Sequence, residues 1–184
     1  MALNTKLPLL VQAVLGLTLA ANALPAKADL PDPCAGYTWE VGQERALFAT
    51  RAVALAGGKG AESAPTLLAN RLYTLQLAAQ PSVKFAVPPS KKVPIEGGYA
   101  AVANLLVSAA SVYRVSGDSA FWIDVIAAGN LLESKDYQGR IGCSSPHKIV
   151  EFELPASVPI LLEFSSAGSR EIRVSITAAP LPKS

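Results

Sequence analysis

Apolar and polar residues alternate along much of the chain after residue 70. Residues 72–77 and 148–154 show this pattern clearly, with Thr, Gln or Glu set between large apolar residues. A period of two indicates strands that bury one face. The strands predicted in this way are residues 72–77, 83–87, 99–107, 112–115, 121–127, 131–132, 148–154, 160–164 and 172–176.

Turn-forming residues separate these segments at short intervals, which favours an all-β fold over alternating strands and helices. We therefore expect a β-sandwich or jelly roll of about eight or nine short antiparallel strands. Residues 39–49 fit either a short helix or a strand, and residues 61–66 and 133–146 are predicted to be irregular. Residues 165–170 resemble a hairpin loop between the last two strands.

The first 28 residues have the pattern of a secretory signal peptide. Lys6 precedes an apolar run over residues 7–21, and Ala26-Lys27-Ala28 provides small residues for cleavage after Ala28. The run is short for a membrane span, which needs roughly 20 apolar residues. The sequence thus predicts a single mature domain, residues 29–184, without a membrane span and in the periplasm or outside the cell.

Cysteine content and charge narrow the class of protein further. The chain has two cysteines, Cys34 and Cys143, and an isolated pair in an oxidising compartment usually forms a disulfide. Loss of Lys6 and Lys27 with the signal peptide would leave 14 of the 16 basic residues against 14 acidic ones. A neutral domain lacks the basic surface that nucleic-acid binding requires, so no nucleic-acid partner is expected.

Few residues in the sequence suggest catalysis. His147 is the only histidine, and neither a nucleophile motif nor a set of further metal ligands accompanies it. Glu151 and Glu153 lie two residues apart on one strand face, which is typical of a solvated face rather than a catalytic pair. We therefore predict no catalytic residue, no metal site and no cofactor.

Trp122 and Asp124 are the candidate ligand-binding residues. They alternate with Ile123 and Val125, so they are predicted to share the outer face of their strand with Ile126. If that face is open, the Trp122 ring could stack on a sugar or an aromatic group. If a loop or another sheet covers it, Asp124 should pair with an arginine or a backbone amide. The covered arrangement is favoured, and both remain open.

A resemblance to a known family rests on four short matches. These are Tyr113-Arg114-Val115, Trp122-Ile123-Asp124-Val125, Gly129 and residues 172–177. The stretch from residue 99 to residue 177 resembles bacterial secreted jelly-roll modules of the pre-peptidase C-terminal type. The resemblance implies an accessory module that binds or stabilises, and the loop that carries Cys143 departs from the family pattern.

Three functions follow as hypotheses. The first is a non-catalytic secreted or periplasmic module that binds a small molecule, a glycan or an envelope protein. The second is a secreted enzyme such as a ring-cleaving dioxygenase of the homogentisate type, although His147 alone cannot supply the two histidines of a non-haem iron site. The third is an envelope assembly subunit that pairs through an exposed strand edge, for which the apolar residues 99–107 are the candidate.

Overall fold

The computed structural model describes Met1 and residues 32–91 and 95–180. The predicted signal peptide and its cleavage site therefore lie outside the described residues, apart from Met1. No helix in the described part is long and apolar enough to cross a membrane. Its elements are the helix α1 (Gly42–Phe48), two 3-10 turns (Ala61–Ser63 and Gln80–Ser82), and the strands β1 (Val53–Ala56), β2 (Thr66–Leu68), β3 (Leu72–Gln76), β4 (Ala78–Ala79), β5 (Tyr99–Leu106), β6 (Ser111–Gly117), β7 (Trp122–Ala127), β8 (Asn130–Leu132), β9 (Asp136–Gly139), β10 (Lys148–Leu154), β11 (Ile160–Ala167) and β12 (Glu171–Ala178).

The strands form two sheets. Sheet A has the order β1-β3-β12-β6-β10-β9, and sheet B has the order β2-β5-β11-β7-β8, with β4 also paired to β5. Most pairings are antiparallel, as expected, but β1 pairs with β3 and β2 pairs with β5 in parallel. The all-β sandwich is confirmed, with more strands than the sequence pattern indicated.

The core lies between the two sheets and takes every second residue from the central strands of each sheet. In sheet A the inward residues include Ile172, Val174 and Ile176, all fully buried. In sheet B, Phe164 of β11 packs edge to face against Phe121, with 5.8 Å between the ring centroids. This one cluster contains residues of both sheets. The apolar positions of the alternating pattern therefore face the interior of the sandwich.

The prediction of a strand at residues 83–87 is wrong. The segment runs across the outer face of sheet B, where Val83 and Phe85 pack into a second apolar cluster. The backbone amides of Lys84 and Ala86 donate to a loop carbonyl and to a side-chain carboxylate, instead of to a neighbouring strand. An extended segment that packs every second side chain on a sheet therefore reproduces the strand pattern. We call residues 83–91 the strap.

Three further expectations about connections fail. Residues 133–146 contain β9, and residues 61–66 contain a 3-10 turn and the first residue of β2. Residues 165–170 do not close a hairpin, because β11 belongs to sheet B and β12 to sheet A. Short sequence patterns identify strands but carry no information about which sheet a strand joins.

The strand proposed as an exposed edge is not one. β5 lies between β2 and β11 inside sheet B. Its lack of charge has another cause: Ala101 and Ala103 face the core, and Ala100 and Val102 are buried beneath the strap. A central strand has no free backbone groups to offer a partner, so this motivation for an assembly role is wrong.

Residues 34–48, which we call the N-terminal segment, pack on the outer face of sheet A. Glu44 of α1 is buried there and accepts hydrogen bonds from Arg114 and Thr177. The predicted disulfide between Cys34 and Cys143 is present and ties this segment to the loop after β9. Both outer faces of the sandwich are therefore partly covered, sheet A by α1 and sheet B by the strap.

Candidate functional site

A cleft of about 940 Å³ lies at the side of the sandwich where the sheets separate. On this side sheet B ends in β7 and β8, and sheet A ends in β10 and β9. β8 pairs only with the second half of β7, from Val125 to Ala127. The chain then crosses between the sheets through residues 133–135. The first half of β7 thus has no neighbour on this side among the described strands, and the space beside it forms the cleft.

Apolar residues line both the floor and the rim of this cleft. The floor consists of core-facing residues of both sheets, including Ile123, Val150 and Phe152. The rim carries large side chains that remain in solvent, with these exposed fractions: Trp122 38%, Leu131 42%, Tyr137 73% and Ile141 96%. Exposed apolar side chains gathered around one concavity are typical of a binding surface.

Three basic residues lie together at one end of the cleft, where β7 begins. Gly139 pairs with Lys148, and the amide of Arg140 donates to the carbonyl of His147 over 2.8 Å. The Lys148 side chain reaches across to sheet B, where its Nζ donates to the carbonyl of Phe121. It also lies 5.3 Å from the Phe121 ring centroid and 6.0 Å from that of Trp122. A cation is therefore placed against aromatic rings inside the cleft.

The surroundings of Lys148 disfavour its positive charge. Burial and, to a smaller extent, the nearby cation of Lys91 lower the pKa of Lys148 to about 8, against the opposing effect of the Asp124 carboxylate. Within residues 32–91 and 95–180, no carboxylate forms an ion pair with Lys148. The amine remains mostly protonated at pH 7 and keeps donor capacity beyond its single carbonyl partner.

Trp122 and Asp124 occupy different environments although they share a strand face. Asp124 is buried and accepts hydrogen bonds from the amide of Ser90, over 3.1 Å, and from the Ser90 hydroxyl. The Trp122 indole Nε1 donates to Ser90 Oγ over 2.8 Å and to Asp124 Oδ1 over 3.1 Å. The strap therefore covers Asp124, whereas the ring of Trp122 is fixed at the rim of the cleft.

A second buried carboxylate lies beside Asp124 under the strap. Glu163 of β11 is the direct cross-strand partner of Asp124 and accepts a hydrogen bond of 2.5 Å from the amide of Ala86. Its other oxygen has no hydrogen-bond partner among the described residues. Burial raises the pKa of Glu163, and the Asp124 carboxylate raises it further, while the strap amides of Ala86 and Val87 act in the opposite direction. The two carboxylates thus bind the strap through hydrogen bonds, and their charges repel each other.

Glu163→Gln is expected to stabilise the protein by about 1 kcal/mol at pH 7, because glutamine keeps an acceptor for the strap and carries no charge. A carboxyl whose pKa is raised by folding binds its proton more tightly in the native state. Its unfavourable contribution is therefore absent below the ordinary pKa of 4.5, grows as pH rises from 4.5 to the raised pKa, and is complete above that pKa. Urea unfolding at pH 3.5 and pH 7 measures this difference.

The matched control for this substitution is Glu96→Gln, which removes an exposed carboxylate that forms no ion pair within the described residues. It should change the free energy of unfolding by less than about 0.5 kcal/mol at either pH. Glu163→Gln could instead destabilise the protein, and by the same amount at pH 7 as at pH 3.5. That result would show that ionisation of Glu163 does not strain the fold.

The carboxylates of β10 serve the fold and lie apart from the cleft. Glu151 forms an ion pair of 2.9 Å with Arg114, and the exposed Glu153 lies 3.4 Å from Lys135. No three His, Cys, Asp or Glu side chains of the described residues come together as candidate metal ligands. The groups that the cleft offers are thus hydrogen-bond donors, a cationic end and apolar surface, which suit the binding of a ligand.

Two of the residues that line this cleft, Trp122 and Asp124, were predicted from the sequence, whereas Lys148 was missed. A signal for Lys148 was present, because it has the same phase as Val150 and Phe152 on the apolar face of its strand. A charged residue at an apolar position of the pattern indicates a buried charge or a functional residue. Tyr137 and Ile141 had no such signal, since they lie in a polar stretch whose position depends on the strand pairing of β9.

No protein-family model matches this chain, and no curated protein is similar to it in sequence. The resemblance to pre-peptidase C-terminal modules accordingly stays a prediction.

Proposed function

We propose that this protein is a non-catalytic binding module of the periplasm or the extracellular space, and that its ligand binds in the cleft beneath Trp122. The observation that carries the proposal is the gathering of exposed apolar side chains around a concavity that reaches the core. The disulfide is compatible with an oxidising compartment. The resemblance to secreted accessory modules supports the same function.

The position of Trp122 gives the cleft one prearranged wall. Its indole is held by hydrogen bonds to Ser90 and Asp124, so the ring loses little freedom when a ligand contacts it. The floor residues Ile123, Val150 and Phe152 belong to strands of both sheets and are equally fixed. A rigid apolar site of this kind binds the apolar part of a small molecule or of an envelope component.

Trp122→Ala is expected to weaken binding of the neutral probe N-phenyl-1-naphthylamine about tenfold, because a ring that forms one wall of the cleft is removed. The free energy of unfolding should fall by no more than about 1 kcal/mol, since the ring is partly exposed. Probe fluorescence measures the affinity, and urea unfolding measures the stability.

The control is Leu106→Ala, which removes an exposed apolar side chain that does not line the cleft. It should leave probe affinity within a factor of about two. The absence of saturable probe binding to the unmodified protein, or equal affinity of the Trp122→Ala variant, would refute the cleft as a binding site.

A further inference from the structure

We infer that the ligand is an amphiphile with an anionic head group, which binds with its head at Lys148 and its apolar body along the floor of the cleft. This inference rests on the proposed binding function and specifies the class of ligand. It follows from the distribution of charge and apolar surface along the cleft.

Charge and apolar surface are separated along the cleft. Lys148, Val150 and Phe152 follow one another on the inner face of β10, about 7 Å apart along the strand. Opposite them, Trp122 and Ile123 begin β7. The cleft therefore has a cationic end followed by an apolar floor, which is the complement of an anionic head and an apolar tail.

At the cationic end, hydrogen-bond donors lack a partner among the described residues. Lys148 forms no ion pair within the described part of the chain, and only the Phe121 carbonyl accepts a hydrogen bond from its amine. Arg140 also lines the cleft, with its guanidinium 5.8 Å from the Tyr37 ring centroid. The buried Nε of Arg140 has no hydrogen-bond partner among the residues described. The Arg140 guanidinium packs on Tyr37, which does not line the cleft, so the Lys148 amine supplies the donors that suit an anion at this end.

The acidic residues that line the cleft do not neutralise this end. Asp124 is already bound by Ser90 and by the Trp122 indole. Glu133 follows Leu132, which pairs with Val125, and within the described part of the chain it forms no ion pair with Lys148. An anionic head at Lys148 would relieve the desolvated charge of the amine, whereas a cationic head would add a like charge.

The test compares three ligands of equal chain length as competitors of N-phenyl-1-naphthylamine at pH 7: decanoate, decan-1-ol and decyltrimethylammonium. Decanoate is expected to displace the probe at about one tenth of the concentration that decan-1-ol requires, and decyltrimethylammonium should be the weakest. In Lys148→Met, which keeps the length and apolar character of the side chain, decanoate should lose this advantage. Binding of decan-1-ol to that variant should change less than about twofold.

The control variant is Lys84→Met, which removes an exposed lysine of the strap away from the cleft and should keep the preference for decanoate. Equal competition by decanoate and decan-1-ol, with probe binding intact, contradicts the anionic head group and leaves the binding function standing. A preference for decanoate that survives Lys148→Met contradicts the assignment to Lys148. Failure of the probe to bind at all refutes the binding function and this inference together.

Discussion

Replacing Cys34 and Cys143 together with alanine is expected to lower the free energy of unfolding by about 4 kcal/mol. The two residues are 109 positions apart, so their link closes most of the described chain into one loop. Such a crosslink restricts the unfolded ensemble strongly, and its loss removes that restriction. Urea unfolding of the double variant against the unmodified protein measures the change.

Chemical reduction provides the control for this result. The unmodified protein in excess reductant should unfold at the same urea concentration as the double variant, because both lack only the crosslink. An unfolding midpoint that is equal in oxidised and reduced protein would mean that the disulfide contributes nothing to stability, in contradiction to the loop argument.

Arg114→Met is expected to destabilise the protein by about 3 kcal/mol, because it leaves Glu44 as an uncompensated buried charge. Arg114 is almost fully buried, and its guanidinium lies 2.9 Å from Glu151 and 3.4 Å from Glu44. It also donates to the Glu40 carbonyl over 2.6 Å and lies 4.8 Å from the Trp39 ring centroid. One side chain thus joins the N-terminal segment to sheet A, and urea unfolding at pH 7 measures its contribution.

The double variant Arg114→Met with Glu44→Gln separates charge burial from lost packing. Glutamine keeps the acceptor for Thr177, which donates to Glu44 over 2.7 Å, and removes the unpaired charge. The double variant should therefore recover roughly half of the lost stability. If the two substitutions instead destabilise additively, the buried ion pair is not what makes Arg114 important.

The strands of the core could be predicted from sequence because each buries one face. In β10 and β12 the apolar phase in the sequence is the inward phase in the structure, from Val150 to Leu154 and from Ile172 to Ile176. β9 (Asp136–Gly139) escaped prediction because it is a short edge strand with polar residues. The pairing of such a strand is determined by its neighbour β10, which a local pattern does not reveal.

The candidate site was predictable only in part. Trp122 stood out as an aromatic residue on the outer phase of an apolar strand, and that phase assignment agrees with the inward positions of Ile123 and Val125. Whether this face is open depends on the strap, whose sequence resembles a strand. The cleft itself arises because β8 stops at Leu132 and leaves the start of β7 unpaired on that side within the described part of the chain. Such a feature of sheet assembly has no local sequence pattern.

The most direct test of the binding site uses the two tryptophans of the chain, Trp39 and Trp122. Each contributes one indole N–H signal to a nitrogen-15 correlation spectrum, and only the Trp122 ring lines the cleft. Titration with decanoate should shift the Trp122 signal in a saturable manner and leave the Trp39 signal in place. A Trp122 signal that stays fixed while decanoate binds, or equal shifts of both signals, would contradict ligand binding in this cleft.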